Sequence, residues 1–189
     1  MTGVQTCALP IWFTAGEGSG LLVLEEVEHA RARGARVHGE IVGFASCAGA
    51  GRLASEDEPT RLASRLRLVI ERVIDEAGEV PGVVSLHGDG IPAHDAAEAW
   101  ALARALGARA ETTPRLTMKQ AHADLGAAAS PVELLACSAA LDHATLPPRV
   151  SENSSASAPP PRSALVISLG LFGECAALMM RTPEGDGAC

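Results

Sequence analysis

The sequence predicts an α/β fold. Short apolar runs of strand length alternate with longer amphipathic stretches, and glycines and prolines punctuate the joins between them. The apolar residues are mostly small: Ala and Gly abound, there is no Tyr, and there are only three Phe and two Trp. Leu, Val, Ala and Ile must therefore fill the core, which suits helices packed closely on a sheet. A chain of 189 residues suffices for one ordinary domain or for part of a larger one.

The first eleven residues, Met1 to Ile11, show neither capping logic nor periodicity and resemble the conceptual translation of a short-read library adapter. They are expected to be a non-native scar, with the true protein beginning upstream of Trp12. Ser19 to Glu25 is an apolar run bounded by glycines and is expected to be a buried strand. Glu26 to Arg33 reads as a short charged helix closed by Gly34, and Val37 to Phe44 as a second strand. A loop spans Ala48 to Glu58. The following helix has Pro59 in its first turn, Asp57 and Glu58 at its positive end, and Gly78 as its stop. Its apolar face carries Leu62, Leu66, Val69, Ile70 and Val73.

Val80 to Leu86 is a buried strand with His87 just beyond its end, and Asp95 to Leu106 is the next helix. Arg115 to Lys119 leads into an Ala-rich helix over Leu125 to Asp142. Arg149 to Ser163, rich in Ser and Pro, is a loop. Ala164 to Leu169 and Ala176 to Met180 are two final strands around a glycine turn, and the tail from Thr182 is frayed.

The net charge of −8 argues against a general nucleic-acid binder, and no apolar run is long enough to span a bilayer. Five scattered cysteines without a CxxC pair point away from a disulfide framework or zinc site and toward a reducing, cytoplasmic setting. Cys47, Cys137 and Cys175 read as small buried apolar residues. His29, His38, His94 and His143 read as exposed polar positions.

Four collinear stretches carry a family resemblance. Gly16 to Gly34 is similar to GEGAGxLVLE followed by ELEHAxARGA, and His87 to Glu98 to HGTxTxxxDxxE. Lys119 to Glu133 is similar to KSxxGHxxGAAGxxE, and Ser168 to Leu178 to SFGFGGxNxxL. The chain thus resembles the β-ketoacyl-acyl-carrier-protein synthases, condensing enzymes of the thiolase fold. The resemblance implies that residues 12–51 end the N-terminal half, 52–181 form the C-terminal domain and 182–189 are a tail.

It also implies decarboxylative Claisen condensation, in which a cysteine takes the acyl chain and two histidines hold the malonyl thioester oxygen. A thiolate suits the first task and imidazole N–H donors the second. The partners implied are acyl carrier protein with phosphopantetheine-linked acyl and malonyl groups, and a second synthase subunit in a homodimer or heterodimer; no metal or cofactor is expected. The family's nucleophile precedes the GEGAG stretch, so no residue here inherits its role, and Cys47 falls after that stretch. The isolated chain is therefore expected to be inactive.

His87 inherits the role of the first malonyl-binding histidine, and Lys119 that of the supporting lysine. The ungapped register from Lys119 to Glu133 places Asp124 where the family has its second histidine; anchoring on Leu125 to Ala128 would place Ala123 there instead. His122 is reached only with local gaps, so the ungapped register is preferred. Asp89 and Ile91 replace threonines, and Leu171 replaces a gating phenylalanine between Gly170 and Gly173. Asp95 and Glu98 fit the family spacing, though an acidic first helical turn is also explained by the helix dipole. The altered Asp124 leaves a second reading open, a non-catalytic partner subunit resembling a chain-length factor.

Overall fold

A computed structural model describes residues 14–49, 58–147, 151–152, 159–170 and 172–183. Among these residues six strands form one mixed sheet in the order β1-β6-β5-β2-β3-β4. They are β1 (Glu40–Cys47), β2 (Val83–Ser85), β3 (Arg115–Leu116), β4 (Ser151–Glu152), β5 (Ser163–Leu169) and β6 (Cys175–Arg181). β2 runs parallel to both β3 and β5, whereas β5–β6, β6–β1 and β3–β4 are antiparallel. The helices are α1 (Val27–Ala32), α2 (Glu58–Ala77), α3 (Pro92–Leu106), α4 (Lys119–His122) and α5 (Ala129–Asp142), with 3₁₀ turns at Gly107–Glu111 and Gly126–Ala128.

The core lies on both faces of the sheet, because the central strands are apolar on both sides. Along β5, Leu165, Ile167 and Leu169 join one cluster with residues of α2 and α3, while Ala164 and Val166 join another with Cys137 and Leu141 of α5. This is the pattern of a sheet buried between helical layers. The apolar stripe of α2 packs as its periodicity predicts: Leu62, Leu66, Val69, Ile70 and Val73 are all buried. α2 sits close on β1 because Gly43 has no side chain; a Cβ there would come within 2.8 Å of the Val73 carbonyl oxygen.

Several sequence expectations need correction. Ser19 to Glu25 is not a strand. Leu21, Val23 and Leu24 are 82%, 75% and 72% exposed, and among the described residues no strand lies beside them to accept a ladder. The expected partner strand begins later, at Glu40, and pairs with β6 instead, leaving Ile41 and Phe44 exposed. The stretch from Arg115 contains a two-residue strand and a short helix, and the Ser/Pro-rich loop contributes Ser151–Glu152 to the sheet edge. Thr182 is tied to the Arg162 carbonyl by its N–H, so the chain is held one residue past β6. His94 is buried rather than exposed. The adapter-like segment, most of the Ala48 to Glu58 loop, and Leu171 lie outside the described residues, as do Cys7 and Cys189.

Candidate functional site

β2 ends at Ser85, and the chain turns through Leu86-His87-Gly88-Asp89-Gly90 into α3. Strand C-terminal ends are where α/β sheets gather their ligand sites. Gly88 has φ +47°, and a Cβ there would meet Thr117 Cγ2 at 2.7 Å, so the turn needs glycine twice over. α3 begins with Pro92 in its first turn and sends Glu98 back under the loop. The Glu98 carboxylate accepts the N–H groups of His87 (2.8 Å) and Gly88 (3.3 Å). Glu98 is 3% exposed, and burial pushes its carboxyl up to about 7 despite those two bonds and the nearby His87. It is a buried latch, which the helix-dipole reading of this acid did not anticipate.

The His87 imidazole is gripped from two further elements. The Leu169 N–H at the end of β5 donates to His87 Nδ1 at 3.3 Å, and Lys119 Nζ lies 3.3 Å from the same atom. Two donors on Nδ1 leave the ring proton on Nε2. Lys119 is itself buried; its ammonium donates to the His87 carbonyl (2.7 Å) and to Glu133 Oε1 (3.0 Å). Burial raises the Glu133 carboxyl, and the Lys119 charge works against that rise. Asp89 lies on the other side, with Oδ2 3.5 Å from His87 Nε2 and 2.7 Å from His94 Nδ1.

A pocket of about 880 Å³ opens beside this cluster, lined among others by Asp89, Glu98, Lys119, His122 and Asp124. Asp124 holds its place through the backbone, donating to the Thr14 carbonyl (2.7 Å) and accepting from Gly16 N–H (2.8 Å). Its carboxylate accepts the Gly126 N–H at 2.8 Å. The preceding residue, Ala123, has φ 63° and ψ −170°, a left-handed conformation costly for any side chain. In the ungapped register Ala123 falls on the glycine of KSxxGH, and Glu133 falls on its terminal acid, which here pairs with Lys119. Both observations favour that register.

His122 also faces this region. Its Nδ1 lies 2.7 Å from the Ala123 carbonyl, so the proton sits there, and its buried Nε2 has no partner. Sequence reasoning set it aside because reaching it needed gaps; its one signal was adjacency to Ala123 and Asp124. Gly170 and Gly173 form the β5–β6 turn, the Gly173 N–H donating to the Gly170 carbonyl at 3.1 Å with φ +81° at Gly173. His87, Lys119 and the turn after Leu169 are thus brought together, and Lys119 and Asp124 share one pocket wall.

A mixed sheet between helical layers, with a buried histidine–lysine–glutamate cluster at a strand end beside a pocket, defines an α/β protein with an enzyme-like site. Residues 38–152, more than half the chain, match the family described as "Beta-ketoacyl synthase, C-terminal domain". The chain belongs to the β-ketoacyl synthase family, condensing enzymes of fatty-acid and polyketide synthesis with the thiolase fold. It is 37% identical over 139 residues to a putative polyketide β-ketoacyl synthase 1 of Streptomyces halstedii, covering 72% of this chain and 32% of that protein. It is 42% identical over 98 residues to the 3-oxoacyl-[acyl-carrier-protein] synthase 2 of Vibrio cholerae, covering 50% of this chain and 23% of that one. The ishigamide ketosynthase/chain length factor superposes with a TM-score of 0.72 at 26% identity, over 90% of this chain and 44% of that one. The chain therefore spans less than half the length of these relatives. No helix among the described residues is long and apolar enough to cross a membrane.

Proposed function

We propose that this chain is the C-terminal part of a β-ketoacyl-acyl-carrier-protein synthase, an acyltransferase that condenses an acyl thioester with malonyl-carrier protein. Residues 52–181 form its C-terminal domain, and 12–51 are the end of its N-terminal half. The observation that carries the reading is the Glu133–Lys119–His87 chain at the end of β2, whose Lys119 lines the pocket. His87, with its proton on Nε2, is the group that would offer an N–H to the thioester oxygen as negative charge builds on it. Lys119 holds Nδ1 and so keeps the proton on Nε2. Asp124 stands where a second imidazole donor would be, and Gly170 and Gly173 belong to the turn that borders the acyl chain. The natural partners are a carrier protein bearing phosphopantetheine-linked acyl and malonyl groups and a second synthase subunit, in the cytoplasm.

The chain by itself is inactive on this reading. Among the described residues no cysteine lines the pocket, and burial pushes the thiols of Cys137 and Cys175 up to about 12 and about 11, so neither presents a thiolate. Incubating the purified chain with acyl- and malonyl-carrier protein is expected to yield no ketoacyl product; robust product would overturn the claim. A second reading, a chain-length-factor-like partner, is favoured by the two carboxylates, Asp89 and Asp124, that face the pocket. The residue at the nucleophile position of the whole synthase separates the two: a cysteine there supports the enzyme, and its replacement supports the partner.

A further inference from the structure

We infer that Asp89 is a positioning residue that captures the Nε2 proton of His87 and holds it away from the pocket, with His94 locking Asp89 in place. The inference rests on the reading of His87 as an oxyanion donor. It goes beyond that reading because it concerns a carboxylate where the resembled motif carries threonine.

Three observations build it. His87 Nδ1 is occupied by the Leu169 N–H and the Lys119 ammonium, both at 3.3 Å, so the neutral ring bears its proton on Nε2. That nitrogen lies 3.5 Å from Asp89 Oδ2, at the outer limit of a hydrogen bond but well within reach of a carboxylate's charge. Asp89 cannot swing away. Its Oδ1 accepts the Ile91 N–H at 2.9 Å, its Oδ2 takes the His94 Nδ1 proton at 2.7 Å, and its side chain is 6% exposed. Burial alone would raise its carboxyl, but the bonds from His87, His94 and Ile91 outweigh burial and hold it well below the usual carboxylate range. Asp89 is thus an anion throughout the neutral range.

Its charge has two effects on His87. The Nε2–H is directed at Asp89 rather than at an incoming oxygen, and a developing oxyanion at the same nitrogen meets a fixed negative charge. The other ionisable groups around the ring are Lys119 and, behind it, Glu133; Glu98 beneath the loop; Asp95 on the first turn of α3; and His94 beyond Asp89. Of these, Asp89 is the one against Nε2.

The test needs no substrate. Imidazole ¹H–¹⁵N spectra of the purified chain are recorded across pH for the wild type and for Asp89→Asn, which keeps the Oδ1 acceptor for Ile91 N–H. The His87 Nε2–H signal is expected to shift and to exchange with water faster in the variant, with the rings of His29, His38 and His143 unmoved. A changed His94 signal with His87 unmoved would overturn the inference, leaving Asp89 a mere loop brace. If the variant does not fold, the wild-type spectrum decides. A His87 Nε2–H protected from exchange with water sustains the inference, and one that exchanges as freely as an exposed ring, or the opposite tautomer, overturns it. Either result leaves membership of the β-ketoacyl synthase family standing, since that rests on the match over residues 38–152.

Discussion

The most quantitative consequence concerns Glu98. Its carboxyl is about 7 in the folded chain against 4.5 in an unfolded one, because burial outweighs the two backbone donors. The folded state therefore binds the proton more tightly, so stability is fully present below 4.5 and is lost as the pH rises toward about 7. The full loss is on the order of 3 kcal/mol, from roughly two and a half units at about 1.4 kcal/mol each. Glu98→Gln removes the ionisation. It keeps an oxygen for the His87 N–H but turns an amide NH₂ toward the Gly88 N–H, a cost that is the same at every pH. The assay is urea unfolding of both proteins at several values from about pH 5 to about pH 8, comparing the slope of stability with pH. Glu133, raised, and Asp89, lowered, contribute equally to both proteins and cancel, whereas the Asp95 charge is part of what raises Glu98. The wild type should lose at least about 2 kcal/mol more than the variant across that range. Parallel slopes within about half a kcal/mol would refute the reasoning and mean that Glu98 stays ionised in the fold.

Two further outcomes follow from backbone and surface. Ala123→Gly relieves a left-handed residue and should stabilise the chain by about 1 kcal/mol, read as a raised urea midpoint; a lowered midpoint would show that Ala123 is unstrained. Leu21→Lys, Val23→Thr and Leu24→Gln together should leave stability within about half a kcal/mol while converting a self-associating protein to a monodisperse one by light scattering. A wild type that is already monodisperse would contradict the premise.

What could be read from the sequence divides along physical lines. The stripe of α2 was legible because a helix carries its own hydrogen bonds, so periodicity alone reports the buried face. Leu21 to Leu24 misled because a strand needs a partner's backbone, and an apolar run says nothing about whether one is alongside. β3 and β4 are too short to leave any pattern. In the site, His87 and Lys119 were legible through motif spacing, and Glu133 entered as the register's anchor. The Asp89–His94 pair was not, since it forms only when the Gly88–Gly90 turn folds the first turn of α3 back on itself. His122 was set aside because reaching it needed gaps, and nothing in the spacing marked its ring as facing the pocket.

His87 is held by Glu98, Lys119 and Leu169, which lie 11, 32 and 82 positions away along the chain. No local segment can assemble that grip, and the longest link closes only when β5 has docked beside β2. The imidazole resonance is accordingly a gauge of tertiary order. A compact state that kept its helices but lost its packing would show an ordinary, freely exchanging histidine at this position.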